Sequence, residues 1–317
     1  MARLVRVGGA QLGPIQPEDT RAQAVDRMIA LLRQAAGHGC NLVVFPELAL
    51  TTFFPRRIMQ DPDEANVYCE TTMPTPETKP LFDEAARLGI GFYLGYAELA
   101  EEAGRKLRYN TAILVNGEGQ IVGKYRKVHL PGRAEPDPTG VTKNYEQRYF
   151  TPGNLGFPVF KAFGGVMGMA LCNDRRWPET YRVMALQGVE MVMLGYNTGA
   201  VRWAAEGNRI VQMPSHLEMF HNHLSMQAGA YQNSTWVIGV AKAGCEDGEE
   251  LMGGSCIIAP SGEIVALART LGDELIVADC DLDAVKWGRE TYFRFDVNRR
   301  IEHYGLIASQ RGVIPPE

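Results

Sequence analysis

Six consecutive non-polar residues, Val166 to Leu171, break off sharply at Cys172-Asn173-Asp174-Arg175-Arg176. A run of that length is too short for a buried helix, so it reads as a strand covered on both faces. Cys172 is then the first residue past its end. Trp177-Pro178-Glu179 has the form of a helix start, with Pro178 and an acid in the first turn. The thiol therefore stands at a strand-to-helix elbow beside two guanidinium groups. Their charge and the N–H groups of a helix start both favour the thiolate. Taken alone, the same stretch also suits a small buried Cys next to a solvated Arg pair. The nucleophilic reading needs a base and an oxyanion partner from elsewhere in the chain.

The pattern recurs. Asn41 to Phe45 is a short apolar strand ending at Pro46-Glu47, and Val189 to Leu194 is another, leading to Tyr196-Asn197-Thr198. Around these, Leu4 to Gly9 reads as a first strand. Thr20 with Gln23 is a capping box for a helix whose inner stripe is Val25, Met28, Ile29 and Leu32. Leu81, Phe82, Ala85 and Leu88 mark a second helix stopped by Gly89, followed by strands at Ile90 to Ala97 and Thr111 to Val115. Asn116-Gly117-Glu118-Gly119 turns the chain into Gln120 to Tyr125. The helix from Pro178 ends at Gly188, and Ser215 with Glu218 caps a long helix whose inward stripe is expected to be Leu217, Phe220, Leu224, Ala228 and Tyr231. Strands at Thr235 to Ala241, Ser255 to Ala259 and Ile264 to Ala268 make the second half echo the first. Helices alternating with mixed strands imply a layered α/β architecture.

No linker divides the chain, so residues 1–317 are expected to form one domain with two appendages. One is the Pro- and Gly-rich connection 131–154, long enough for a lid over a binding site. The other is the arm 291–317, whose aromatic content favours packing on a neighbouring subunit over disorder. A net charge of -5 offers no general attraction to nucleic acid or anionic lipid, leaving a small molecule as the expected partner. The six Cys are scattered, with no CxxC pair, which argues against a zinc site or a disulfide framework and for a reducing cytoplasm. The N-terminus lacks an apolar run of signal-peptide length and no stretch is long enough to span a bilayer, so no membrane is expected either. His216, His221 and His223 do not suit a metal. The last two point to different faces of their helix, and the first lies two turns, roughly 10 Å, from the third. No metal and no cofactor are expected.

Three stretches, Phe45-Pro46-Glu47-Leu48, Gly123 to Leu130 (GKYRKVHL) and Leu171 to Glu179 (LCNDRRWPE), resemble the catalytic signatures of the nitrilase superfamily. Within it, TTFFPR after Glu47, CNDRRWPE around Cys172, GYNT at Gly195 to Thr198 and SMQAGAYQN at Ser225 to Asn233 resemble the N-carbamoyl-D-amino-acid amidohydrolases. The likeness covers nearly the whole chain. It implies a four-layer αββα sandwich, a homodimer or homotetramer, and a Cys172-Glu47-Lys127 triad with Glu146 orienting Lys127 or the substrate nitrogen. It further assigns His129, Asn173, Asn197 and Thr198 to substrate binding. The lid departs from that pattern at Pro136 to Thr142, and Asn144 stands where those enzymes tend to carry His.

The chemistry is coherent without the likeness. A thiol attacking an amide carbon needs an acceptor for its proton, and the tetrahedral oxygen needs positive charge and N–H donors. Glu47, Lys127 and the N–H after Cys172 are of the right types. A guanidinium fork suits an α-carboxylate, which makes Arg175 and Arg176 candidates for that contact. Competing readings are another amidohydrolase of the superfamily, acting on N-carbamoyl β-alanine, a carbamoyl polyamine or an aliphatic amide, and a non-catalytic binding member.

Overall fold

Along the strand at Leu42–Val44, Leu42 and Val44 face one apolar cluster while Val43 and Phe45 face another, and all four are fully buried. A strand has a side-chain period of two, so a run that is apolar on both faces must lie between two covering layers. The same split divides Met167, Met169 and Leu171 from Ala170, and Met191 and Met193 from Val192 and Leu194. The molecule is described by a computed structural model covering residues 2–316 apart from 140, 142, 202, 207, 208 and 213–215.

In chain order the elements are β1 (Leu4–Gln11), α1 (Arg21–Gly37), β2 (Leu42–Val44), α2 (Lys79–Leu88), β3 (Gly91–Glu102), β4 (Arg105–Val115), β5 (Ile121–Arg126), α3 (Glu146–Tyr149), β6 (Val159–Ala162), β7 (Gly165–Leu171), α4 (Pro178–Leu186) and β8 (Met191–Tyr196). Then follow β9 (Trp203–Glu206), β10 (Arg209–Gln212), α5 (His216–Asn233), β11 (Trp236–Ala241), β12 (Ala243–Glu246), β13 (Glu249–Met252), β14 (Cys256–Ile258), β15 (Ile264–Leu267), β16 (Glu274–Asp281) and α6 (Ala284–Glu290). Two six-stranded mixed sheets result, ordered β16-β1-β2-β3-β4-β5 and β15-β14-β11-β8-β7-β6. Val5, Val7, Val44 and Leu114 of the first meet Met169, Met193 and Val240 of the second in one central cluster. Helices α1 and α2 cover the outer face of the first sheet, and α4 and α5 that of the second. The layers run αββα, as expected. The parallel core strands β2, β7 and β8 end on the same rim, which is where Glu47, Cys172 and Asn197 emerge.

Several expectations change. The Thr20–Gln23 box forms and the α1 stripe is buried. The α5 stripe is reversed. Phe220, Leu224 and Tyr231 are half exposed, while Asn222, Met226, Gly229 and Ala230 face inward. The inner face must be narrow, since a Cβ on Gly229 would lie 2.6 Å from the Tyr181 ring, and polar, since Asn222 holds Tyr196 and Arg175. Ser215, the expected cap, lies outside the described residues, as do Gly140 and Thr142 of the lid. The strands at 90–97 and 111–115 prove to be arms of one longer hairpin turning at Ala103-Gly104. Its outer half is carried by charged residues, among them Glu98, paired with Arg126 at 2.8 Å. A further strand, β16, carries the apolar run Leu275 to Ala278 and pairs antiparallel with β1 at the sheet edge. Among the described residues no helix is long and apolar enough to cross a membrane.

The loop bearing Glu47 is clamped between the sheets. A Cβ on Gly95 of β3 would stand 2.8 Å from Glu47 Cα, and one on Gly195 of β8 would stand 2.4 Å from Glu47 N. Gly195→Ala is therefore expected to overpack this contact at about 1–3 kcal/mol, lowering Tm by roughly 2–6 °C. It should also reduce kcat by displacing Glu47. Calorimetry showing an unchanged Tm would refute the clamp.

Candidate active site

Glu47, Lys127 and Glu146 come from three separate elements and meet with no exposure to solvent. Lys127 Nζ donates to Glu47 Oε1 at 2.7 Å and to Glu146 Oε2 at 2.6 Å. One buried cation between two carboxylates is tolerable only if each lone pair and proton finds a partner. Glu47 Oε1 also accepts from Asn110 Nδ2 at 2.8 Å, and Glu47 Oε2 from the Asn197 backbone at 3.1 Å. Asn197 Nδ2 ties back to the Glu47 carbonyl at 3.0 Å. Glu146 Oε1 accepts from Asn144 Nδ2 at 3.3 Å, so the lid residue that differs from the resembled pattern holds the second carboxylate.

Cys172 is the first residue past β7 and adopts φ +43°, a left-handed conformation costly for a residue with a Cβ. It opens the single turn Cys172–Arg176 that leads to α4 at Pro178. Its Sγ lies 3.4 Å from the Asn197 carbonyl and 3.7 Å from Arg175 Nη1. Burial pushes the thiol above its ordinary pKa and Glu47 adds to that, while Lys127 and Arg175 oppose. This corrects the expectation that the Arg pair makes a standing thiolate: the resting group is a thiol, and its proton must leave as attack begins. Burial also opposes charge on Lys127, but negative charge developing on Cys172, together with Glu146 and Glu47, outweighs it and holds the ammonium well above the usual range. Glu146 is pushed up to about 7, by burial first and by Glu47, against the pull of Lys127 and Asn144.

The substrate-binding candidates separate into two groups. Asn197 and Thr198 line a cleft of about 330 Å³, with Phe53, Arg56, Asn144 and Glu218 among its other walls, and lid residues 131, 132, 141 and 143 border it. Arg176 is half-buried beside this wall, its Nη2 3.6 Å from Glu218. Arg175 is a correction. It is fully buried and grips Asn222 Oδ1 at 2.8 Å, the Cys172 carbonyl at 2.6 Å and Thr198 Oγ1 at 2.9 Å, with its guanidinium 4.6 Å over the Tyr196 ring. Its fork braces the nucleophile turn and reaches the cleft through Thr198. His129 and Asn173 are corrected likewise. The His129 N–H and Nδ1 both meet Asp174 Oδ1, its ring stacks 4.9 Å from Trp177, and Asn173 Nδ2 donates to the His129 carbonyl. Their side chains line a different hollow, with Trp177 and Gln147.

Sequence reasoning missed the residues that hold the reactive ones. Buried Asp174 accepts from Tyr125 Oη at 2.7 Å and Leu171 N at 3.0 Å, fixing the turn from below. Asn110 stands directly before the apolar run Thr111 to Val115, and a polar residue there, buried mid-sheet, is the signal that could have exposed it. The Lys242–Glu246 pair is fully buried too. Glu246 accepts from the Phe53 and Ile15 backbones at 2.8 and 2.9 Å, anchoring the segment that runs from Glu47 to the cleft.

Because Glu146 is raised to about 7, it carries its proton below that pH and loses it above. The wild-type profile of kcat/KM should show an ionisation there, and Glu146→Gln should lack it while losing about 10²-fold in kcat. Persistence of the ionisation in the folded Gln variant would assign it to another group.

The carbon-nitrogen hydrolase family pattern matches residues 6–289. The chain is 29% identical to a nitrilase of Pyrococcus abyssi, over 89% of this chain and 92% of that protein. It is 28% identical to an N-carbamoylputrescine amidase of Oryza sativa, over 93% and 92%, and 25% identical to a citrullinase of Francisella tularensis, over 91% and 94%. A carbon-nitrogen hydrolase structure from Helicobacter pylori superposes with a TM-score of 0.78 at 24% identity, covering 96% of this chain and 98% of that one, which speaks for the fold. With a buried Cys-Glu-Lys cluster at the rim of two stacked sheets and the family pattern running through nearly all of it, the chain belongs to the carbon-nitrogen hydrolase family, the nitrilase superfamily.

Proposed function

We propose that this amidohydrolase converts N-carbamoyl-D-amino acids to D-amino acid, ammonia and carbon dioxide through a thioester on Cys172. The observation that carries the chemistry is the sealed Glu47–Lys127–Glu146 cluster next to a strained, protonated Cys172. Glu47 takes the Sγ proton as sulfur attacks the ureido carbon. Negative charge moves to the former carbonyl oxygen, where Lys127 Nζ and the Asn173 N–H receive it. Glu47 passes the proton to the terminal nitrogen, the C–N bond breaks and ammonia leaves. Water, deprotonated by Glu47, attacks the carbamoyl thioester and the C–S bond breaks with return of the proton to sulfur. The released carbamate loses carbon dioxide.

Support for an α-carboxylate on the substrate comes from Arg176, whose Nη2 lies 3.6 Å from the cleft residue Glu218, and from the motifs that resemble the D-carbamoyl enzymes, on which the D preference rests entirely. A second reading has its own observation. Glu218 and Glu249 also line the cleft, which suits a cationic amine, and relatives include N-carbamoylputrescine amidases. Ammonia release should be measured from the two enantiomers of one N-carbamoyl amino acid and from N-carbamoylputrescine. Turnover of the D compound is expected, absent in Cys172→Ala. Arg176→Lys should raise KM about tenfold or more, since Lys cannot present a fork. Faster turnover of the diamine derivative would replace this reading with the second.

The same reading includes a homodimer or homotetramer. Its support is the number of outward apolar side chains, Phe220, Leu224 and Tyr231 of α5, Leu186 of α4, and Tyr292 and Ile307 of the arm, all more than a third exposed. Sedimentation should give twice or four times the chain mass, and a truncation after residue 290 should shift it toward the monomer. A monomeric full-length chain would reject the assembly.

A further inference from the structure

Asn110 sits in β4, fully buried, and is joined to all three charged members of the cluster. Its carbonyl accepts from the Lys127 N–H at 2.8 Å, fixing the backbone where the chain leaves β5. Its Nδ2 donates to Glu47 Oε1 at 2.8 Å and reaches Glu146 Oε2 at 3.4 Å. These are the two oxygens that Lys127 Nζ bridges, so the amide and the ammonium span the same pair of carboxylates. The amide orientation follows from charge, because the reverse placement would set Oδ1 against two carboxylate oxygens. The consequence is visible at the other end: Asn110 Oδ1 is buried and has no hydrogen-bond partner among the described residues. An asparagine serving only to pack the sheet would not leave a buried acceptor unpaired, which is costly, in order to aim its donors at two acids.

We infer that Asn110 is a positioning residue for the reaction, holding Glu47 in the orientation from which it accepts the Cys172 proton and keeping Glu146 against Lys127. The inference rests on the reading of Cys172 as a nucleophile activated by Glu47, but not on the substrate. The charged and titratable groups around Glu47 are Lys127 after β5, Glu146 on the lid side, Cys172 at the elbow, Tyr93 on β3 and Lys242 beyond β11. Asn110 supplies a neutral side-chain donor to Glu47 Oε1, as the Asn197 N–H does to Oε2. Removing a hydrogen bond to an ionised carboxylate favours its protonated form, so a base deprived of this amide works only at higher pH.

The test is the pH dependence of Cys172 alkylation by iodoacetamide, resolved by peptide mass spectrometry from alkylation of exposed Cys245, in wild type, Asn110→Ala and the isosteric Asn110→Asp. In both variants alkylation near neutral pH should slow about tenfold to a hundredfold. The acid limb of the profile should move to higher pH, and hydrolysis should lose kcat with KM little changed. A folded variant whose alkylation profile superimposes on wild type overturns the inference. Loss of the folded state in both variants also overturns it, by showing that the amide serves the strand. Because alkylation needs no substrate, a wild type that hydrolyses no carbamoyl amino acid would refute the proposed function and leave this result standing.

Discussion

A lysine ammonium buried between two carboxylates organises this molecule. In a dry interior such a cluster is stable only when every member is held and hydrogen-bonded, since breaking one pair leaves an uncompensated charge. Lys127 is therefore bracketed by Glu47 and Glu146, and these in turn by Asn110, Asn144 and Asn197. The partners come from β4, the lid and the end of β8, so the cluster closes only when both sheets and the lid are assembled. Burial, aided by Glu47 and Glu146, favours Cys172 as a thiol, and the same two carboxylates favour Lys127 as a cation, which is the charge arrangement that attack on an amide carbon requires.

The two sheets make this possible by gripping the Glu47 loop closely at one point. Glycines at 95 and 195 remove the side chains that would otherwise keep β3 and β8 away from the loop after β2. Tyr93 Oη then donates to the Ala170 carbonyl and accepts from Gly195 N, crossing from one sheet to the other in the middle of the apolar layer. Beneath the nucleophile, Asp174 and Arg175 act as braces. Arg175 ties the Cys172 carbonyl to Thr198 at the cleft and to Asn222 on α5, so the turn cannot relax out of its left-handed conformation without breaking several buried contacts.

What could be read in advance follows from what local patterns encode. Short apolar runs with polar ends were legible as buried strands, and the Glu47, Cys172 and Asn197 positions at their ends were legible as a rim. The α5 stripe misled because an apolar face says that a surface is covered, not by what; here the inner face is built from small and polar residues and the apolar face turns outward. Arg175 misled in the opposite way. Residue type suggested a substrate contact, whereas burial between Tyr196, Asn222 and Thr198 makes it structural. His129 and Asn173, close to Lys127 and Cys172 in sequence, border a different hollow because nearby residues at a turn point apart.

By itself the sequence determined a layered α/β architecture and the strands at whose ends Glu47, Cys172 and Asn197 stand, because hydrophobic periodicity is a property of local residues, while the αββα order followed from the family resemblance. Only the tertiary structure decided which polar groups serve chemistry and which serve support. That choice depends on burial and on partners supplied by distant segments: Asp174 and Lys242 carry no local mark of their roles, Asn110 carries only its place before an apolar run, and the partners of Arg175 come from Asn222 and Thr198 far along the chain. Electrostatics in a closed interior is set by the whole assembly of charges, and no window of sequence contains it.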